Sequence, residues 1–261
     1  MDPRSQENSV CPFDVAFQCR SKAFRESLFP SENYCRRFRC RSSRLGTRRK
    51  EFWIAWGTEP NGNWFSWNGK WNGGAKEGPA RCIAAYRHIV DLMRNEGADN
   101  LLWVWHVNWL DEPDRKWNAF ENYFPGENYC DWIGLSAYGP TTPTTRDGTE
   151  SFAFKMREAY PRLTKIAPGK PIIIAEFGCD LHNRHVDAVR WAKAALEDLF
   201  SNRWPAIIGF CWWNEGWQND DRKKHDTDMI VLHNVDLTGV FRDEFARHDD
   251  KIQESAIISP R

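Results

Sequence analysis

The sequence predicts a (β/α)8 TIM barrel, and three observations carry the prediction. First, five short runs are almost continuously apolar and rich in β-branched or aromatic residues. They are Phe52–Trp56, Leu101–Val107, Trp132–Tyr138, Pro171–Phe177 and Ala206–Trp213. Parallel strands covered on both faces read this way. Second, stretches with helical spacing lie between most of these runs, and alternating β and α units imply a parallel sheet. Third, no Gly-rich phosphate loop follows any strand, while polar residues cluster just past the strands' C-terminal ends. Barrels carry their chemistry there. An open doubly wound sheet gives the same alternation; the third observation favours the closed arrangement.

Taken in order, the chain changes character near Lys50. Residues 1–50 show no clear helical or strand period. They hold twelve Lys/Arg against five Asp/Glu, a local +7 that leaves residues 51–261 at −7 in a chain of zero net charge. Three readings compete for this basic, Cys-rich segment. It is an irregular arm, a stretch translated from a shifted frame or wrong start, or a nucleic-acid or zinc module. The spacing Cys11-x7-Cys19-x15-Cys35-x4-Cys40 fits no compact zinc pattern. Between the first two strands, Cys82, Tyr86, Ile89 and Met93 recur at four, three and four, one helical face. Pro79 stands near its start and Gly97 past its end. Between the last two strands, Val189, Ala192, Leu196 and Leu199 form a second stripe. Phe152–Leu163 reads as a weaker helix interrupted by Pro161. Three βα units, at ~30 residues each, should precede Phe52 in a full barrel. Residues 1–50 do not look like such units, so strands four to eight are expected with the first three missing or unrecognisable. Residues 51–250 then form the barrel part and 251–261 a loose tail.

All fifteen Trp follow residue 50. An acidic, Trp-rich domain suits stacking on sugars or bases, and its negative charge disfavours nucleic acid. No run approaches the roughly 20 apolar residues of a membrane span, and the N-terminus lacks the apolar core of a signal peptide. Cys82 and Cys211 sit in apolar patterns and are expected to pack as free thiols. His182 and His185 read as part of a solvated loop rather than a metal site.

Two carboxylates stand at matching places. Glu59 follows the first visible strand and Glu176 ends the fourth. A pair of carboxylates flanking a bond is what glycoside cleavage needs. Aromatic residues surround them in the sequence: Trp64 and Trp67 after Glu59, His106 and Trp109 closing the next strand, Tyr138 the one after, and Trp212–Trp213 the last. Core packing is the simpler reading for Trp53, Trp103 and Trp132. It works poorly for the Gly- and Asn-rich loop from Asn61 to Gly74, which cannot be a buried element.

The ordered stretches "GTEPNGNWFSW", "YFPGENYCDWIGLSAYG", "KPIIIAEFG" and "GFCWWNE" resemble glycoside hydrolase family 26, the β-mannanases and related endo-β-glycanases, over about residues 51–245. The resemblance implies a clan A glycosidase barrel acting by a retaining mechanism on a β-linked polysaccharide, with β-1,4-mannan first. It implies Glu59 as general acid/base, Glu176 as nucleophile, and Trp64 at the cleaved sugar. Tyr138 would bond the nucleophile, and Trp213 would form a sugar platform, although strand alternation leaves Trp212 open for that role. Trp67 and His106 complete the expected substrate contacts. No metal or cofactor is implied, and a monomer is expected. The family is mostly secreted. Its mannanases usually carry His before the acid; Thr58 stands here, which leaves β-glucan or xylan open. The alternative is a catalytically inactive, truncated homologue that retains at most carbohydrate binding.

Overall fold

A computed structural model describes residues 52–251. The basic segment 1–50 and all but the first residue of the expected tail lie outside the described residues. Five strands make one sheet in the order of the chain, β1 to β5. They are β1 (Phe52–Ile54), β2 (Leu101–Asn108), β3 (Trp132–Ser136), β4 (Ile172–Phe177) and β5 (Ile207–Trp212). Helices α1 (Gly74–Asn95), α2 (Phe152–Ile166), α3 (Ala188–Phe200) and α4 (Val235–Arg247) alternate with them or follow them. A short antiparallel pair, β6 (Gly216–Trp217) and β7 (Thr227–Asp228), follows β5.

Two units divide the described residues. One takes in residues up to Ser136 together with Ala159–Ala175. In it β1 pairs parallel to β2, and β2 parallel to β3. The expected helical face is the buried one. Tyr86, Ile89, Val90 and Met93 of α1 pack with Leu101 and Trp103, and Phe52, Ile54 and Trp56 close the cluster. Cys82 is a half-buried free thiol. Trp103 is core, and Trp53 and Trp132 stack at 4.1 Å between centroids. All three were expected to pack rather than bind.

The other unit takes in Ala137–Glu158 and the residues from Glu176 onward. Its core is aromatic. Phe177 meets Phe152, Trp191, Phe210 and Trp212 at centroid distances of 5.2–6.3 Å. Trp212 in turn meets Phe241 of α4 at 5.2 Å. Large rings dominate buried area and prefer such edge-on contacts.

Two expectations need correction. α2 does not break at Pro161 but continues to Ile166. The turn after the proline is held from outside the helix. Arg162 donates to both Glu121 carboxylate oxygens at 2.7 Å and to Asp111 at 2.9 Å, while Ala159 and Leu163 are fully buried. These contacts offset the backbone bond that proline removes. β5 is also not covered on both faces. Ile208 is 57% exposed, because β5 is an end strand of the five.

Candidate active site

The acid loop begins where β1 ends. Gly57 turns the chain at φ +61°, and Glu59 itself sits at φ +53°, a left-handed conformation that costs a residue with a side chain energy. The surrounding bonds over-determine it. The Glu59 N–H donates to His106 O at 2.8 Å, and its carbonyl accepts from Gly62 N at 2.9 Å and from Asn68 Nδ2 at 2.5 Å. Next along the chain, Asn61 donates to Asn108 O and to Asp111 Oδ1, both at 2.9 Å, and accepts from Asn108 N at 3.0 Å. Asn118 donates to the Asn61 carbonyl at 2.7 Å. The loop is therefore polar in composition and buried in fact: Asn61, Asn68 and Asn118 are all fully enclosed.

The Glu59 carboxyl is only 6% exposed. Trp64 Nε1 donates to its Oε2 at 2.6 Å, and the Ser136 side chain, at the end of β3, makes a second bond. Burial pushes the carboxyl above its ordinary value of 4.5, and the two hydrogen bonds pull the other way. Desolvation wins, so the neutral acid is favoured. Trp64 keeps 41% of its surface exposed and Trp67 keeps 38%. Trp67 Nε1 donates to Thr58 O at 2.8 Å, and Phe65 stacks on its ring at 4.3 Å. The indole N–H groups anchor both rings and leave surface open.

His106 is placed differently from an open sugar contact. It is 3% exposed, with Nε2 at 2.7 Å from Ser136 Oγ. Burial lowers its pKa to about 3, so the ring is neutral under ordinary conditions.

In the second unit, Glu176 is half-buried near the end of β4. Tyr138 Oη donates to its Oε2 at 2.8 Å. Trp213 packs edge-on against Tyr138 at 6.3 Å, and its N–H donates to Phe177 O at 2.7 Å. Trp212 points the other way, buried among Phe177, Trp191 and Phe241, with Nε1 on Met229 O at 2.8 Å. Trp213 is thus the tryptophan on the side of Tyr138.

Ser136, Asn61, Asn68 and Asn118 were not foreseen as parts of the site. Ser136 had one sequence signal, a hydroxyl closing an otherwise apolar strand. Among the described residues, no group of three or more His, Cys, Asp or Glu side chains is placed to hold a metal ion, and no helix is long and apolar enough to cross a membrane.

Comparison with known proteins agrees with this arrangement. The chain is 32% identical over 185 residues to endoglucanase H of Acetivibrio thermocellus, covering 70% of this chain and 20% of that protein. It is 27% identical over 161 residues to a mannan endo-1,4-β-mannosidase of Bacillus subtilis, covering 61% and 38%. The chain therefore spans well under half the length of these relatives. Among solved structures, the catalytic domain of a GH26 endo-β-1,4-mannanase from Bacillus sp. JAMB-750 superposes with a TM-score of 0.59 at 18% identity, over 88% of this chain and 58% of that one. The fold is that of the (β/α)8 barrel, with five of its parallel strands among the described residues. The model of glycosyl hydrolase family 26 matches residues 55–204, and the chain belongs to that family.

Proposed function

We propose that this chain is the catalytic machinery of a retaining endo-β-glycosidase, with β-1,4-mannan as its first substrate. The observation that carries the reading is Glu59. A carboxylic acid buried against Trp64 and kept from ionising at its ordinary pH is what protonation of a leaving glycosidic oxygen requires. Glu176, half-exposed and bonded by the Tyr138 hydroxyl, is suited to stay ionised. A hydrogen bond donated to a carboxylate favours the charged form.

The reaction follows from these two states. Glu176 attacks the anomeric carbon while Glu59 gives its proton to the departing oxygen. A glycosyl-enzyme forms, and one sugar chain leaves. Glu59, now a carboxylate, takes a proton from water, and that water releases the second chain from Glu176. Retention needs the two carboxyl groups about 5–5.5 Å apart. The exposed rings of Trp64, Trp67 and Trp213 offer apolar surface to the C–H faces of pyranose units. Thr58 before the acid, and relatives named for glucan as well as mannan cleavage, make mixed-linkage glucan the second substrate to test.

The test is release of reducing ends from galactomannan, glucomannan, mixed-linkage β-glucan and xylan, comparing the chain with Glu176→Gln. Mannan cleavage that disappears in the variant, with the β-anomer seen first by proton NMR, supports the reading in full. Initial formation of the α-anomer would overturn retention. No cleavage of any polymer by a cooperatively folded chain would leave sugar binding as its function.

A further inference from the structure

The hydrogen bond that Ser136 gives Glu59 is itself directed from behind. In the pairing of β2 with β3, His106 stands opposite Gly134. A Cβ at Gly134 would lie 3.0 Å from the His106 Cβ and Cγ, so a glycine here gives the imidazole the room it occupies. The ring runs along β3 to Ser136, two residues on, and ends 2.7 Å from its hydroxyl. Both side chains are buried.

A serine hydroxyl has one proton and rotates to suit its neighbours. If His106 Nε2 is an acceptor, that proton turns toward the imidazole and Glu59 loses a donor. If Nε2 carries hydrogen, the hydroxyl accepts from the ring and its own proton is free for the carboxyl. We infer that His106 is held as the Nε2–H tautomer and that, through Ser136, it directs a hydrogen bond onto Glu59, making His106 and Ser136 a positioning pair for the acid. The assignment of that role rests on the proposed function of Glu59.

The pair contributes direction without charge, because burial holds the imidazole neutral. The groups facing Glu59 are Ser136 from β3 and Trp64 from its own loop, with His106 of β2 behind Ser136. None of these is charged. Glu176 is the other carboxylate of the proposed reaction. Burial alone would push the acid further up; the two donors bring it back toward the pH at which a general acid also has to act as a base.

Two measurements on the full chain test this without turnover. Ring 15N shifts of labelled histidine, with His106 assigned through H106Q, read the tautomer. Carboxyl 13C titration of labelled glutamate, with Glu59 assigned through E59Q, reads the acid's midpoint. We expect the Nε2–H form with no titration between about pH 5 and 8. Ser136→Ala should raise the Glu59 midpoint by about one pH unit, since it removes a bond to the charged form. Ser136→Thr, which restores a hydroxyl, should bring it back. His106→Leu should raise the midpoint as Ser136→Ala does, and His106→Gln, which keeps an N–H donor, should raise it less. An Nδ1–H tautomer in the unaltered chain overturns the inference. So does a midpoint unmoved in a folded Ser136→Ala, which would leave the pair merely structural. If Ser136→Ala does not fold, the tautomer and His106→Leu decide. A chain that cleaves no polysaccharide would sink the catalytic assignment of Glu59, yet both spectra would still report whether the bond is directed.

Discussion

Glu59 and Glu176 are held in contrasting ways. Glu59 leaves the strand, enters a left-handed backbone conformation, and is locked by asparagine amides and backbone groups until its carboxyl is nearly sealed. Glu176 stays on the regular course of β4, half-buried, with a tyrosine hydroxyl on one oxygen. The difference follows the work proposed for each. A group that carries a proton into the reaction needs a desolvated setting, and a buried loop supplies it at the cost of strain that the surrounding bonds must overcome. A group that attacks as an anion needs only orientation, and a strand end gives that directly.

Removing each carboxyl tests the contrast most severely. Glu176→Gln should abolish polymer cleavage and also cleavage of aryl glycosides with good leaving groups. Glu59→Gln should lower polymer cleavage by about 10²–10⁴-fold yet keep rapid formation of the glycosyl-enzyme from the aryl substrate, seen as a burst, because that leaving group needs no proton. Equal losses on the aryl substrate would erase the distinction. Tyr138→Phe comes next. One hydrogen bond to a charged group is worth roughly 1.5 kcal/mol, so kcat/KM should fall by about tenfold with little change in thermal stability.

The pH dependence of folding offers a third test. Glu59 has a folded pKa raised above 4.5, so the folded state binds a proton more tightly than the unfolded chain does. Its effect on stability is therefore constant below the unfolded value, and stability is lost as pH rises from there through the folded value. Urea denaturation should show the unaltered chain losing stability relative to Glu59→Gln across that interval, with no such divergence for Glu176→Gln attributable to burial. The smallest effect expected is that of Trp67→Ala. Its ring is pinned by Thr58 and Phe65, and losing roughly 1 kcal/mol of stacking should raise KM on long polymers about fivefold while kcat stays near its starting value.

The strands and helical stripes were legible because burial imposes periodicity on neighbours in the chain. Leu101–Val107 is buried at nearly every position, and Tyr86, Ile89 and Met93 of α1 face inward together. The two carboxylates were legible because they end or follow such strands. What could not be read depends on partners far along the chain. Alternation made one of Trp212 and Trp213 face the core, but only contacts with Phe177, Trp191 and Phe241 fix the phase. Pro161 looked like a helix break because its support comes from Asp111 and Glu121, about 40 to 50 residues earlier, through Arg162. The Gly- and Asn-rich loop read as open because its composition is polar. Asn118 meets the Asn61 carbonyl across 57 residues, and nothing local announces that bond.

That loop has a practical consequence for anyone diversifying the protein. Surface loops usually absorb substitutions, and this one has a loop's composition. Yet a Cβ at Gly62 would come within 2.6–2.9 Å of the Trp64 ring, and one at Gly69 would run into the Tyr123 side chain, whose hydroxyl donates to Asn118 at 2.6 Å. In a saturation library, positions 61, 62, 68 and 69 should reject replacements as a core strand does, while exposed positions on the neighbouring helices accept them. Variation aimed at new sugars would be better spent around Trp67 than on the residues that brace the acid.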